Sequence, residues 1–407
     1  MADTTKAELD LIATPPVQTR HTEQEIEVML RVARGDNYAV GVPGGPENDK
    51  FEKAFSEKMG SADAVAVNTC SSALELAAVL SGMGPGDEVI IPAHTFVATA
   101  VPMGRTGATI RWADIDPDTR VVSVDSIRSL VNERTRAVVA VHLYGLPADM
   151  EAITVLAAEH GLIVIEDCAQ ANGASIHGKR VGTFGDFGCF SFQGNKNMTT
   201  LGEGGMLTVR DPDRGTQARR ARWMGNWMFE EKREKDWVPA GGNLVQPIPD
   251  CWPLNACMPE VIAAVGGEVL KRIDDINAQR LHQAQRFMGQ LTDYPELVFQ
   301  HVPEGYVHAY HLMSARYDGH TFGRNRDELI GLLRDGYSVK AIVQYWPLCR
   351  SELFRDFGFG QADVPETDRF YDNMVSFPWW SDMSDQVIDE MGRRTRAALD
   401  ALRKDNA

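Results

Sequence analysis

Short apolar runs rich in β-branched residues alternate with longer helical stretches over most of the first half of this chain, and few folds tolerate that rhythm. Apolar runs at Ala64–Val67, Glu88–Ile91, Thr109–Ala113, Ala137–Leu143, Leu162–Glu166, Phe187–Phe192 and Gly205–Val209 read as strands. The spacing between them predicts helices near Ser72–Ser81, Phe96–Thr106, Ser126–Glu133, Asp149–His160 and Arg214–Trp223. Strands apolar on both faces and separated by helices form a mostly parallel sheet covered on two sides, an α/β architecture. Ligands of such sheets bind beyond the carboxyl ends of the strands, so the loops after the strands are where chemistry is sought.

The chain has 407 residues, enough for two to three domains and a large core without disulfide staples. The pattern divides it into an N-terminal tail (1–22), a large domain (23–258) and a smaller α+β domain (259–407). The large domain begins with a helix at Glu23–Arg34 and includes a Trp-rich loop at 223–252; a long helical pattern at 259–291 opens the small one. Forty-one Lys and Arg against 57 Asp and Glu leave a formal charge of −16, which disfavours nucleic acid as a partner. No apolar run reaches the roughly 18 residues that cross a bilayer, and the polar N-terminus has no apolar leader. The six scattered cysteines form no C-x-x-C pair, so the expected compartment is a reducing cytoplasm and no metal site is expected.

Four segments that follow strands carry chemistry. Val67-Asn-Thr-Cys70-Ser71-Ser-Ala73 opens a helix with small residues, where backbone N–H groups and the helix dipole attract an anion. A plain N-cap by Thr69 or Ser71 explains it equally well in isolation. Glu166-Asp167-Cys-Ala-Gln170 puts acids at a strand end, for a buried cation or a structural ion pair. In Phe190-Ser191-Phe-Gln-Gly-Asn-Lys196 one Lys lies between an apolar strand and the turn Gly202-Glu-Gly-Gly205. Burial lowers a lysine's pKa and makes its amine nucleophilic toward carbonyls, although a lone Lys is usually a solvated surface cation. Phe96, in Pro92-Ala-His-Thr-Phe96, is either core or a platform for a flat ring. Together these parts meet the needs of pyridoxal 5'-phosphate: an amine for its aldehyde, a carboxylate at its pyridine nitrogen, an anion cradle and a flat apolar face.

The order and spacing of these motifs resemble the DegT/DnrJ/EryC1/StrS family of pyridoxal-phosphate-dependent aminotransferases, from about residue 40 to the C-terminus. The likeness rests on Gly84-Pro-Gly-Asp-Glu-Val-Ile-Ile-Pro92, Thr95-Phe-Val-Ala-Thr99, Asp114-Ile-Asp116, His142-Leu-Tyr-Gly145, Glu166-Asp-Cys-Ala-Gln-Ala171, Lys196, Gly202-Glu-Gly-Gly205, Tyr345-Trp-Pro-Leu348 and Ser376-Phe-Pro378. It implies the aspartate-aminotransferase fold (fold type I) and a homodimer with shared active sites. By position Lys196 would join the cofactor aldehyde and shuttle protons, and Asp167 would pair with the pyridine nitrogen. Gln170 would sit near the ring hydroxyl and Phe96 on the ring face, while Cys70, Ser71 and Ser191 would hold the phosphate. Asn255 would reach the partner's phosphate. The family's usual Gly-Thr is Cys70-Ser71 here, and Ala256-Cys257 stand where an aromatic residue and Arg commonly follow the Asn. A retained Lys196 argues against the deoxygenating branch, which has His there.

The implied activity is transfer of an amino group from glutamate or glutamine to a keto-sugar, a nucleotide-linked keto-sugar or a cyclitol ketone. One alternative uses the same site for an aromatising dehydration of the 3-amino-5-hydroxybenzoate synthase type. Another, a non-enzymatic regulator on the same fold, is disfavoured because Lys196 and Asp167 are both present. The aromatic loop with Trp223, Trp227, Phe229 and Trp237 reads as a wall for a sugar ring or as interface packing, and Arg222 and Lys232 as cations for a diphosphate.

Overall fold

The structure, a computed structural model, describes residues 9–15, 21–35, 44–225 and 251–404. Its centre is a seven-stranded sheet built from β1 (Asp63–Val67), β2 (Glu88–Pro92), β3 (Thr109–Ala113), β4 (Thr135–Val141), β5 (Ile163–Asp167), β6 (Phe187–Ser191) and β7 (Gly205–Val209). The strand order is β1-β7-β6-β5-β4-β2-β3. Only β7 runs against the others, antiparallel to both β1 and β6; the remaining neighbours pair in parallel. Almost every residue of these strands is buried, because helices cover both faces and Val, Ile and Ala suit a pleated surface with no wet side. This is the mostly parallel α/β sheet that the sequence pattern called for.

Three local departures have physical causes. The helix expected over 96–106 is instead a 3₁₀ turn (Val97–Thr99) followed by a short helix (Val101–Arg105). Pro102 has no N–H to bond the carbonyl of residue 98, so a continuous helix cannot run through it. The helical pattern over 259–291 breaks into Glu260–Leu270 and Ile273–Gly289. There the N–H groups of Lys271 and Arg272 reach back only three residues, to Glu268 and Val269. The strand read as His311–Tyr317 begins at Met313, after Tyr310 turns the chain with a φ of 44°.

Around the expected boundary at 258/259 the packing is continuous. Glu260 is buried, and its carboxylate accepts from the backbone N–H groups of Glu47 (2.8 Å) and Asn48 (3.1 Å). It thereby satisfies the start of helix Pro46–Met59, whose N-cap, Gly45, has no side chain to do so. Gly266 lies so close to the Phe51 ring that a Cβ there would sit 2.6 Å from it. The second core surrounds a three-stranded antiparallel sheet, β8 (Leu297–Phe299), β9 (Met313–Tyr317) and β10 (Met374–Phe377). Helices Ile273–Gly289, Arg326–Tyr337 and Asp385–Lys404 cover it.

Part of the segment read as a loose tail is packed. Ile12 is fully buried in this second core. Its N–H donates to Ser338 and its carbonyl accepts from Lys340, both at 2.9 Å. Arg222, considered from sequence as a ligand for a diphosphate, is buried instead beneath the sheet edge. Its guanidinium pairs with Glu52 and donates to the Ala66 carbonyl (2.7 Å). Lys232 and the aromatic residues Trp227, Phe229 and Trp237 lie outside the described residues. All six cysteines are free thiols, and no described helix is long and apolar enough to cross a membrane.

Two buried histidines give the fold an acid sensitivity. Burial drives the pKa of His94 down to about 3, helped by the Arg120 charge, and burial alone takes His308 to about 3. Both stay neutral in the folded chain but take up protons when it unfolds below their ordinary value. Stability therefore falls as pH drops from about 6.5 toward 3, by about 2 kcal/mol for each histidine at pH 5. Carboxylates such as Glu25, held at about 2 with its burial overcome by hydrogen bonds from His21 and Arg272, lose their contribution only at lower pH. Denaturant midpoints should drop between pH 7 and pH 5 while unfolding stays reversible; identical midpoints would contradict this assignment.

Candidate active site

A cavity of about 400 Å³ opens at the carboxyl ends of β1, β2, β5 and β6. Into it the topology brings Cys70, Ser71, Phe96, Asp167, Gln170, Ser191 and Lys196, which lie far apart along the chain. Asn255 is the exception: it is exposed and does not line this cavity. Its segment pairs instead with the chain at Trp223 and Arg222.

The strand pleat separates two adjacent acids. Successive side chains of β5 point to opposite faces. Glu166, fully buried, accepts from the N–H groups of Gly182 (2.7 Å), Phe184 (2.8 Å) and Gly185 (2.7 Å). It also faces His142 Nε2 at 3.1 Å, while His142 Nδ1 accepts from the Ala148 N–H. That second bond leaves the imidazole proton on Nε2, so His142 donates to Glu166. His142, Glu166 and Cys168 are close enough to hold a metal, but the imidazole and carboxylate are already committed to these bonds. Glu166 is thus a structural anion that ties down the loop before β6.

Asp167 faces the cavity. Thr99 Oγ1 donates to its Oδ2 (2.7 Å), and the Ala169 N–H donates to Oδ1 (3.0 Å). Because the Thr99 hydroxyl proton is used on Asp167, Thr99 accepts from Thr95 Oγ1 at 2.9 Å. A carboxylate that accepts two hydrogen bonds keeps lone pairs for a cationic N–H in the cavity.

Lys196, half-buried, sits in the turn between β6 and β7 and faces the same cavity. Burial lowers its pKa, partly countered by Asp167, Cys70 and Glu203. Glu203 shifts the opposite way, raised by burial against the pull of Lys196. A lysine in such surroundings has more neutral amine than a surface lysine, as nucleophilic attack on a carbonyl requires.

The helix Cys70–Leu80 points its N-terminus at the cavity, and Thr69 caps it by accepting from the Ser72 N–H (3.1 Å). The N–H groups of Cys70 and Ser71 have no partner within the helix, as expected of a first turn, and are aimed where an anion would sit. Gly205 lets this cradle form. A Cβ there would lie 2.5 to 2.7 Å from the backbone of Thr69 and Cys70. Phe96, 51% exposed, lines the cavity, with the Tyr345 ring edge-on to it at 5.8 Å. Gln170 Oε1 accepts from the Tyr144 N–H (2.8 Å), so its amide N–H₂ faces Tyr345 and the cavity. An amine, a carboxylate, an anion cradle and an aromatic face around one cavity fit pyridoxal phosphate.

Thr95, Thr99, His311, Gln344 and Tyr345 were given no role from sequence. Thr95 and Thr99 stand four apart in a Thr-Phe-Val-Ala-Thr run, a spacing visible in sequence; the others come from distant segments. Tyr144 joins them, its hydroxyl donating to the Gln344 carbonyl (2.5 Å) and accepting from His94 Nε2 (2.6 Å). His311 is buried and lines the cavity, and its Nδ1 has no hydrogen-bond partner.

The chain is similar in sequence and fold to known proteins. The model of the DegT/DnrJ/EryC1/StrS aminotransferase family matches residues 20–395. Spore coat polysaccharide biosynthesis protein SpsC of Bacillus subtilis is 35% identical over 361 residues, covering 85% of this chain and 88% of the relative. UDP-N-acetyl-3-dehydro-alpha-D-glucosamine 3-aminotransferase of Acidithiobacillus ferrooxidans is 30% identical over 355 residues, covering 87% of this chain and 89% of the relative. Among solved structures, the aminotransferase TlmJ from Streptoalloteichus hindustanus superposes with a TM-score of 0.82 at 28% identity, covering 96% of this chain and 99% of that one.

The glycine cradle makes a direct prediction. Gly205→Ala must push the start of helix Cys70–Leu80 away from β7, because both clashing partners are backbone. Equilibrium dialysis with pyridoxal phosphate should give a dissociation constant weakened by roughly tenfold or more, about 1.4 kcal/mol. Wild-type affinity in a folded Gly205→Ala protein would remove the cradle from the account.

Proposed function

This chain belongs to the DegT/DnrJ/EryC1/StrS aminotransferase family, whose enzymes use pyridoxal phosphate, and on that premise we propose how its own residues work and on what. The amino group passes from glutamate or glutamine to the ring ketone of a keto-sugar, a nucleotide-linked keto-sugar or a cyclitol. One observation carries the residue assignment: Lys196 and Asp167 face a single cavity with a helix N-terminus beside them. The acceptor class draws on the A. ferrooxidans relative, named for a nucleotide-linked keto-sugar.

When bound, the cofactor supplies an aldehyde that carries the amino group and a ring that accepts an electron pair. Asp167, oriented by Thr99 and Ala169, would hold a proton on the pyridine nitrogen. Lys196 would hold the cofactor through its amine. Its amine, whose pKa burial lowers, would move the proton from the donor Cα to the carbon that receives it. The N–H groups of Cys70 and Ser71 and the Ser191 hydroxyl bind the phosphate. Phe96 would cover one ring face, and the Gln170 N–H₂ would serve the ring oxygen. Asn255, exposed on its own chain, reaches the cavity of a second copy in a homodimer. The net charge and free thiols suit a cytoplasmic enzyme.

The test is the donor half-reaction alone. Protein loaded with pyridoxal phosphate should lose the visible absorbance of the bound cofactor on addition of glutamate or glutamine, with no acceptor present. Loss of absorbance with neither donor would reject the transaminase reading and favour the aromatising dehydration. Lys196→Ala should fold, retain the cofactor without a covalent bond and show no turnover; wild-type activity in that variant would mean another amine reacts. Asp167→Asn should keep the cofactor yet slow the donor step by roughly 100-fold or more, and an unchanged rate would contradict its role.

A further inference from the structure

Behind Lys196 lies a chain of buried amides that none of the assignments above uses. Asn197, the next residue, donates from Nδ2 to Asn277 Oδ1 (3.1 Å) and to the Ala309 carbonyl (2.7 Å). Asn277 Nδ2 donates to the Asn172 carbonyl (2.8 Å), and Asn172 Nδ2 donates to the Ser191 carbonyl (3.0 Å). Asn172 and Asn197 are each 1% exposed and Asn277 is 7% exposed. The network therefore ties the lysine turn to the end of β6 at Ser191 and to the segment that leads, two residues on, to His311. Both of those residues line the cavity with Lys196.

The fold makes room for the central amide. Gly173 has a φ of +82°, and a Cβ there would sit 2.7 Å from Asn277 Nδ2. Asn277 also occupies the joint of the molecule. Its helix contributes Ile273 and Ile276 to the core around Phe51 and Phe55, and Ala284 and Phe287 to the core around β9. In the turn carrying Lys196, which has Gly202 at φ +120° and Leu201 at φ 63°, Met198 is anchored in the apolar core, while Asn197 beside the lysine is held by hydrogen bonds. A leucine would fill the space of Asn277 without the desolvation cost of an amide. What the amide adds is direction, since each bond constrains both distance and angle.

We propose that Asn277 is a positioning residue for the reaction: through Asn197 it sets where the Lys196 amine stands relative to Ser191 and His311. The inference rests on the reading of Lys196 as the reacting amine. It makes the lysine turn part of the rigid joint between the two cores rather than a free loop. Proton transfer tolerates little error in that placement, because a misplacement of about 1 Å can cost roughly 100-fold in rate.

The experiment compares wild type with Asn277→Leu, Asn277→Ser and Asn277→Asp, each loaded with pyridoxal phosphate. It reads the single-turnover rate with glutamate or glutamine, the half-saturating donor concentration, and the pH midpoint of the cofactor absorbance. Asn277→Leu and Asn277→Ser should lower the maximal rate by roughly tenfold or more while half-saturation moves less than about twofold. The absorbance midpoint should shift with the altered surroundings of Lys196. Asn277→Asp keeps an acceptor for Asn197 and should recover part of the rate. If every variant keeps the wild-type rate and midpoint, even with a lowered thermal midpoint, the amides are purely structural and the proposal falls. A wild-type protein that reacts with neither donor overturns the parent reading as well, so the two failures are distinguishable. Serine, smaller than asparagine, keeps the comparison available where leucine prevents folding.

Discussion

A lysine amine and a carboxylate facing one small cavity form the pair on which the rest of this structure depends. Neither group is stable there by itself. Burial disfavours the lysine charge, and the Asp167 carboxylate must find partners in place of water. The sheet solves both problems with strand ends. β5 delivers Asp167 and β6 leads into the turn of Lys196, while parallel pairing of β5 with β6 keeps those ends side by side. β7, the antiparallel strand, returns the chain so that Gly205 meets the first turn of helix Cys70–Leu80.

Support for this arrangement is mostly polar, which sets the site apart from the apolar sheet around it. Glu166 immobilises the loop before β6 through three backbone N–H groups and His142. Stripping such a carboxylate of its partners would cost several kcal/mol, so the loop has one conformation available to it. Thr95, Thr99, Tyr144 and Gln170 form a similar shell around the cavity floor. Buried hydrogen bonds have little tolerance in length or angle, and the reacting groups inherit that precision.

The architecture and most of the cavity were legible in the sequence, for a definable reason. β-branched runs doubly covered by helices leave a strong signature, and each reactive residue falls just after such a run. Lys196, Asp167, Ser191, Cys70, Ser71, Phe96 and Gln170 are all of that kind, and all reach the cavity. Residues from the second core, such as His311 and Tyr345, are contributed by tertiary packing that leaves no local periodicity. Arg222 misled because a basic residue near an aromatic loop looks free until Glu52, far away in the chain, is placed beside it. Ile12 was taken for part of a loose tail because its bridge to Val339 spans almost the whole chain. Asn255, assigned through the family resemblance and not from a strand end, is exposed and stays outside the cavity of its own chain.

The central claim concerns a proton between Asp167 and a pyridine nitrogen. It is tested most directly by nitrogen NMR of the protein loaded with cofactor labelled at the ring nitrogen. The account predicts a protonated pyridine in wild type wherever the protein stays folded, and its loss in Asp167→Asn. An unprotonated ring nitrogen in the wild-type protein would mean that the carboxylate and the amine do not serve the same ligand.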